Sequence, residues 1–198
     1  MATALSVAGG DLKVQEKYEA AEVEQMRQQV GVAEMRAAAE GTDEARQLVK
    51  DMRQQVLRRE LEIATGRANR KPQDLRLQFE LAVALKRAGN LPEAEKMFGQ
   101  LRANAQLKAA ATLELGECLQ QQKKYSHALQ FYSRAVELTE KNDVNLRKLA
   151  LYRAGTLAVG LRQLDPARRW LRELVNLDPN YRDAKARLDK IRGVSNKE

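Results

Sequence analysis

Apolar residues recur every three to four positions along most of the chain, the spacing of one face of an α-helix. Near the start, Val14, Tyr18, Ala21, Val30, Ala33 and Ala37 follow it, with Met26 near the same stripe. Glu16, Glu19, Glu22, Glu24, Arg27 and Gln28 fall on other faces. The pattern predicts an amphipathic helix of roughly seven turns, ended by Gly41. Thr42 then stands as an N-cap, with Asp43 and Glu44 in the first turn, where the helix dipole favours acids. A second helix comes next, with Ala45, Leu48, Val49, Met52, Val56 and Ile63 along one stripe and Leu57 and Leu61 beside it. The stretch Gly66 to Pro72 ends it. Two arrangements fit: an antiparallel hairpin packed on the helices after residue 75, or a coiled coil that joins two copies of the chain.

Beyond residue 75 the pattern repeats. Leu81-Ala82, Leu85, Gly89, Ala94, Phe98 and Leu101 recur as Leu115-Gly116, Leu119, Ala128, Tyr132 and Ala135, at an offset of 34 residues. They recur again as Ala154-Gly155, Ala158, Ala167, Leu171 and Leu174, now at an offset of 39, with the extra residues in the polar stretch Thr139 to Asn145. Each unit has a simple packing logic. A small residue on the first helix (Ala82, Gly116, Gly155) and another on the second (Ala94, Ala128, Ala167) allow close approach. A larger one four residues on (Phe98, Tyr132, Leu171) fills the space between stacked units. Turns are expected at Gly89-Asn90 and Pro92, at Tyr125-Ser126 and at Asp165-Pro166. Ser126 and Asp165 are the expected N-caps and Pro166 the expected first helical residue. After Asp178-Pro179-Asn180, a last helix carries Tyr181, Ala184, Leu188 and Ile191 on one stripe and is polar elsewhere, as the end of a stack requires.

A 34-residue period with this small–large pattern resembles the tetratricopeptide repeat family, and Pro179 falls where the third unit closes. The sequence departs from the family pattern at its typical Trp place, which holds Gln78, Thr112 and Leu151. It departs again at the later Tyr place, which holds Leu85, Leu119 and Ala158. The resemblance covers about residues 75–192. The expected fold is all-α, a right-handed tetratricopeptide-like solenoid preceded by a long helical hairpin. In detail, residues 1–10 form a disordered N-terminus, and 11–69 a hairpin of capping or degenerate-repeat helices. Residues 70–192 hold three repeats (about 75–108, 109–147 and 148–179) and a capping helix at 180–192, and 193–198 form a tail.

The resemblance implies a concave groove lined by the first helix of each unit. Its residues would be Arg76, Phe79, Val83 and Lys86 in the first unit and Ala110, Leu113, Glu117 and Gln120 in the second. In the third they would be Leu149, Tyr152, Thr156 and Val159. Such a groove would take a peptide or helix of another protein. The competing reading is that neighbouring helices, or the chain's own N-terminal helix, cover these apolar positions. Family members that clamp a terminal carboxylate use Lys, Asn and Arg on this face. Here those places hold Phe79, Val83, Glu114 and Leu149, and only Arg153 fits.

Composition narrows the other classes. The net charge is +8, distributed as −3 over residues 1–66 and +11 over residues 67–198. The basic part keeps a polyanion (RNA or an acidic surface) as the alternative partner, through Arg67, Arg70 and Lys71, Lys123 and Lys124, and Arg162, Arg168, Arg169 and Arg172. Aromatic residues are not interleaved with them as a single-strand platform requires. His127 and Cys118 are single in the sequence, so no disulfide forms within the chain and no paired-histidine zinc site exists. His127 reads as a helix-terminal polar group, Cys118 as a core residue, and Trp170 as packing against the terminal cap. No Gly-rich phosphate loop occurs. A non-enzymatic scaffold or adaptor without cofactor or metal is therefore expected. A cytoplasmic location and the absence of a membrane span complete the expectations, with a homodimerising module built on the N-terminal helices as a further alternative.

Overall fold

The computed structural model describes residues 12–139 and 143–194, the last three by backbone only. Expectations for residues 1–10, for the insertion at 140–142 and for the tail from 195 lie outside the described residues. Among the described residues there are nine helices and no strand. By internal packing the chain divides into two compact units, Met1–Asn90 and Leu91–Glu198.

The first unit holds α1 (Leu12–Glu40), α2 (Asp43–Arg70) and α3 (Leu75–Arg87). Gly41 joins α1 to α2 with φ of +67°, a left-handed conformation that costs glycine nothing sterically. Thr42 caps α2, its hydroxyl oxygen accepting from the Ala45 amide at 3.2 Å. The ion pairs Arg67–Glu19 (2.9 Å), Arg59–Glu22 (2.8 Å) and Arg53–Glu34 (2.7 Å) run in opposite directions along the two helices, so the pair is an antiparallel hairpin.

The buried face of α1 differs from the one the sequence predicts. Glu19, Val23, Val30 and Ala37 are buried, whereas Ala21 is exposed. Alternating steps of four and three (19, 23, 26, 30, 33, 37) meet the same alternation in α2 (45, 49, 52, 56), the seam of a two-helix coiled coil. Val14 and Tyr18 lie only half-buried beside it. Glu19 occupies a seam position because Arg67 and Arg70 (2.9 and 4.0 Å) neutralise it there. Leu48, expected on the inner stripe of α2, is 57% exposed. Asp74 caps α3, accepting from the amides of Arg76 and Leu77 at 3.0 and 3.3 Å. The helix α3 packs on the C-terminal part of α2, where Arg87 meets Glu60 at 3.5 Å and Gln78 donates to the Ala68 carbonyl at 3.4 Å.

The second unit contains α4 (Leu91–Leu101), α5 (Lys108–Gln121), α6 (Tyr125–Leu138), α7 (Val144–Gly160), α8 (Leu164–Leu177) and α9 (Ala184–Val194). Within the unit each helix packs on the next in the chain, and α9 also touches α7. One core runs through Leu113, Tyr132, Leu151, Leu171 and Leu174 to Ala184, Leu188 and Ile191, so the terminal helix seals the stack with the stripe the sequence marks. Trp170 belongs to this core, and Cys118 is fully buried.

The turns between paired helices are alike at 34- and 39-residue spacing. Gly89, Lys123 and Arg162 all have positive φ (87°, 62° and 57°). The next amides, of Asn90, Lys124 and Gln163, each bond at 2.9 Å to the carbonyl five residues earlier, closing the preceding helix. This geometry corrects the expected caps. The hydrogen-bond ladders of α6 and α8 start at Lys124 and Gln163, directly after the left-handed residue. Ser126 and Asp165 therefore lie inside the first turns rather than at N-caps, and Pro166 is the third helical residue. The insertion partly lengthens α7, which Asp143 caps by accepting from the Leu146 amide at 3.1 Å. Arg147 in its first turn donates to the Val136 and Thr139 carbonyls (3.3 and 3.1 Å) and to Glu173 (2.9 Å), tying α7 to α6 and α8.

Candidate functional site

In the second unit, the first helices of two successive pairs, α5 and α7, border a recess of about 390 Å³. Its walls are Glu117, Gln120 and Gln121 from α5, Tyr132 from α6, and Tyr152, Arg153, Thr156 and Leu157 from α7. Tyr132 reaches it because Gly116, facing the ring, has no side chain. The ring is buried and its hydroxyl donates to Gln120 Oε1 at 2.7 Å. Burial pushes the Tyr132 phenol up to about 12, partly opposed by the positive charge of Arg153.

Arg153 pairs with Glu117 at 2.6 Å, both side chains about one-quarter exposed. Burial works against the charge on Arg153, but the hydrogen bond and charge of Glu117 hold its pKa above the ordinary arginine value. The one position that matches a carboxylate clamp is thus engaged by an internal carboxylate. The hydroxyl oxygen of Thr156 is buried and has no hydrogen-bond partner.

Tyr152 forms the end of the recess toward the chain terminus. Its hydroxyl donates to Asp183 Oδ1 at 2.8 Å, and its ring meets Tyr181 edge-on at 5.7 Å. The Arg182 guanidinium lies 4.8 Å from the Tyr152 ring centre and 5.4 Å from that of Tyr181. Arg187 and then Tyr152, by hydrogen bonds, hold the Asp183 carboxyl below its usual range. Nothing in the repeat pattern signals this aromatic–arginine cluster. It forms because the chain turns between α8 and α9 and returns over α7.

The twelve residues expected in the groove fall into separate settings, with Ala110 and Val159 half-buried on α5 and α7. Glu117, Gln120, Tyr152 and Thr156 line the recess of the second unit. Leu149 is half-buried against the core. Leu113 is fully buried, so it does not line an open groove: α5 is apolar on two sides, and this side faces the core. In the first unit, Phe79 and Val83 line a separate recess of about 450 Å³ with Val23, Ile63 and Ala64 of the hairpin. Lys86 is buried rather than groove-lining. Arg76 is exposed and pairs with Glu80 at 3.2 Å. The basic residues also divide. Arg67 and Arg70 face Glu19, and Arg168 meets Asp165 at 3.3 Å and the Ile191 carbonyl at 3.0 Å. Lys123, Lys124, Arg162, Arg169 and Arg172 are exposed. His127 is exposed in the first turn of α6. No described helix is long and apolar enough to cross a membrane.

Residues 79–143 match the family model described as tetratricopeptide repeat. No curated protein matches the sequence. Among solved structures, the one titled functional characterization of Pseudomonas aeruginosa pilF is similar with a TM-score of 0.55 and 16% identity. That match covers 89% of this chain and 72% of the other. The MamA RS-1 ArsTM double mutant is similar with a TM-score of 0.53 and 19% identity, over 88% of this chain and 85% of the other. At these identities the likeness is one of fold.

Proposed function

We propose that this chain, a tetratricopeptide-repeat protein, holds a segment of a partner protein in the recess between α5 and α7. The fold is in general a protein-interaction scaffold, and the finer reading concerns where and how the partner is read. What carries it is the buried, unpartnered hydroxyl of Thr156 at the wall of the recess. A turn of the Thr156 side chain toward the recess would let this shielded hydroxyl meet a polar group of a bound segment. The surrounding groups support this assignment. Glu117 and Arg153 neutralise each other, and Tyr132 fixes the Gln120 amide. The recess therefore presents oriented hydrogen-bonding groups beside the apolar Leu157 and the Tyr152 ring without a strong demand for charge. An uncharged, amide-rich stretch of a partner fits such walls.

The test is a pair of measurements on Thr156→Val. A photo-crosslinker placed at the exposed Gln121 first identifies the partner segment, and its affinity is then measured by calorimetry. The substitution should weaken binding by roughly tenfold, one lost hydrogen bond, while stability stays level or rises. Unchanged affinity for the crosslinked segment, with Tyr152→Ala equally silent, would remove the recess as the binding site.

A second reading, binding of a polyanion, rests on the exposed Arg162, Arg169 and Arg172 of the third repeat. The two readings separate by salt. Polyanion binding falls steeply as salt rises and survives Tyr152→Ala and Phe79→Ala, whereas recess binding changes little with salt.

A further inference from the structure

The hairpin is longer than its support. Within the first unit α3 packs on the C-terminal part of α2, beside Glu60, Ile63 and Ala68. Among the described residues of that unit, nothing packs on the half of the hairpin nearest its turn. There α1 and α2 share a single narrow seam, and one flank opens as a recess of about 850 Å³. Its floor is apolar: Val32, Ala33, Leu48 and Met52, with Val32 45% and Leu48 57% exposed. Its rim carries Arg36 and Glu40, one turn apart on α1, and Glu44 on α2. Elsewhere on the hairpin, arginines pair across the seam with glutamates, as at Arg53–Glu34, Arg59–Glu22 and Arg67–Glu19. Arg36, Glu40 and Glu44 make no ion pair among the described residues.

We infer that this flank is the contact surface for a second copy of the chain, the two hairpin ends forming an antiparallel four-helix bundle. The charge pattern selects this occupant. A surface with both signs at its rim is self-complementary. A two-fold axis parallel to the helices sets α1 of each copy against α2 of the other, so that Arg36 of one copy faces Glu44 of the other and each Leu48 enters the partner's recess. A partner of one dominant charge would leave half of that rim opposed by like charge. Size agrees with a modest dimer. Sixteen residues of α1, from Gln25 to Glu40, at about 1.5 Å each give a face about 24 Å long and two helices wide. Two such faces together bury on the order of 1,000 Å², the lower bound for a specific interface. The dimer is accordingly reversible, with a dissociation constant in the micromolar range, about 1–100 µM.

Sedimentation equilibrium of the whole chain over such concentrations tests this. The wild type should move from monomer to dimer. Leu48→Glu should weaken the dimer at least about tenfold with helical content unchanged, since Leu48 is solvent-facing in the monomer. If Leu48→Glu lowers helicity, the charge pair replaces it: Arg36→Glu should weaken the dimer, and adding Glu40→Arg and Glu44→Arg to the same chain should restore it. A chain that stays monomeric throughout overturns the inference. So does a dimer indifferent to both Leu48→Glu and Arg36→Glu, and so does a hetero-partner that captures the face in place of self-association.

Discussion

Gly116 and Tyr132 fit together with no room for a methyl group between them: a Cβ at position 116 would lie 2.6 Å from the tyrosine ring. The third repeat keeps the relationship with different residues, a Cβ at Gly155 meeting Leu171 at 2.8 Å. The large residue thus meets the small one between the two helices of one repeat, not between stacked units as the sequence suggests. This contact also sets how far Tyr132 projects toward the recess.

Gly116→Ala should therefore destabilise the protein although alanine is the better helix former. The helical gain of about 1 kcal/mol is outweighed by displacing a buried ring, an overpacking cost of about 1–3 kcal/mol or more. Urea titration should show a lower midpoint. Gly155→Ala should behave likewise, whereas Gly99→Ala, with open space around it, should not.

Lys123 and Arg162 hold left-handed turns that Gly89 holds without strain in the first repeat. Lys123→Gly and Arg162→Gly should each stabilise by up to about 1 kcal/mol. The relief of the left-handed penalty exceeds the added entropy of the unfolded chain only slightly. The converse, Gly89→Ala, should cost a similar amount. Thermal melts of the three variants check this.

Tyr132 links stability to alkaline pH. Its phenol ionises near 10 in the unfolded chain and is pushed up to about 12 in the fold, chiefly by burial. The folded state thus favours the protonated form. Its contribution is complete below pH 10 and is lost as pH rises from about 10 through 12, with a ceiling of roughly 2–3 kcal/mol. Tyr132→Phe should flatten that decline. Ultraviolet titration should show one tyrosine fewer ionising late.

Glu117 and Arg153 are coupled across α5 and α7. Glu117→Gln should destabilise by about 1–3 kcal/mol because a mostly buried guanidinium loses its carboxylate. Arg153→Met should cost less once Glu117 is already changed. A double-mutant cycle measured by denaturant unfolding should give a coupling of at least about 0.5 kcal/mol.

Much of the helical organisation is legible in the residues alone. Period, helix number and packing pairs are local properties. A glycine or alanine paired at fixed distance with a ring or a leucine marks close approach wherever it recurs. The break at Gly41 and the Thr42 cap are readable for the same reason, since they depend on one left-handed residue and one hydroxyl. The starts of α6 and α8 are not, because the left-handed residue there is a lysine or an arginine, which carries no glycine-like signal.

The candidate recess is only partly legible. Glu117, Gln120, Tyr152 and Thr156 sit where the repeat pattern places them, but Leu113 and Lys86 are buried. A helix inside a stack is apolar on more than one side, and the sequence of one helix cannot say which side its neighbours take. The Glu117–Arg153 pair and the Tyr152–Tyr181–Arg182 cluster join positions 29 to 36 residues apart in no repeating register, so only the folded chain brings them together. The same holds at the hairpin. The sequence by itself determined two long helices and a repeat array. The tertiary structure decided that Glu19 turns inward against Arg67 and that Leu48 turns outward to solvent. Facing is set by where the partner helix lies, and that is a property of the whole fold rather than of any one period.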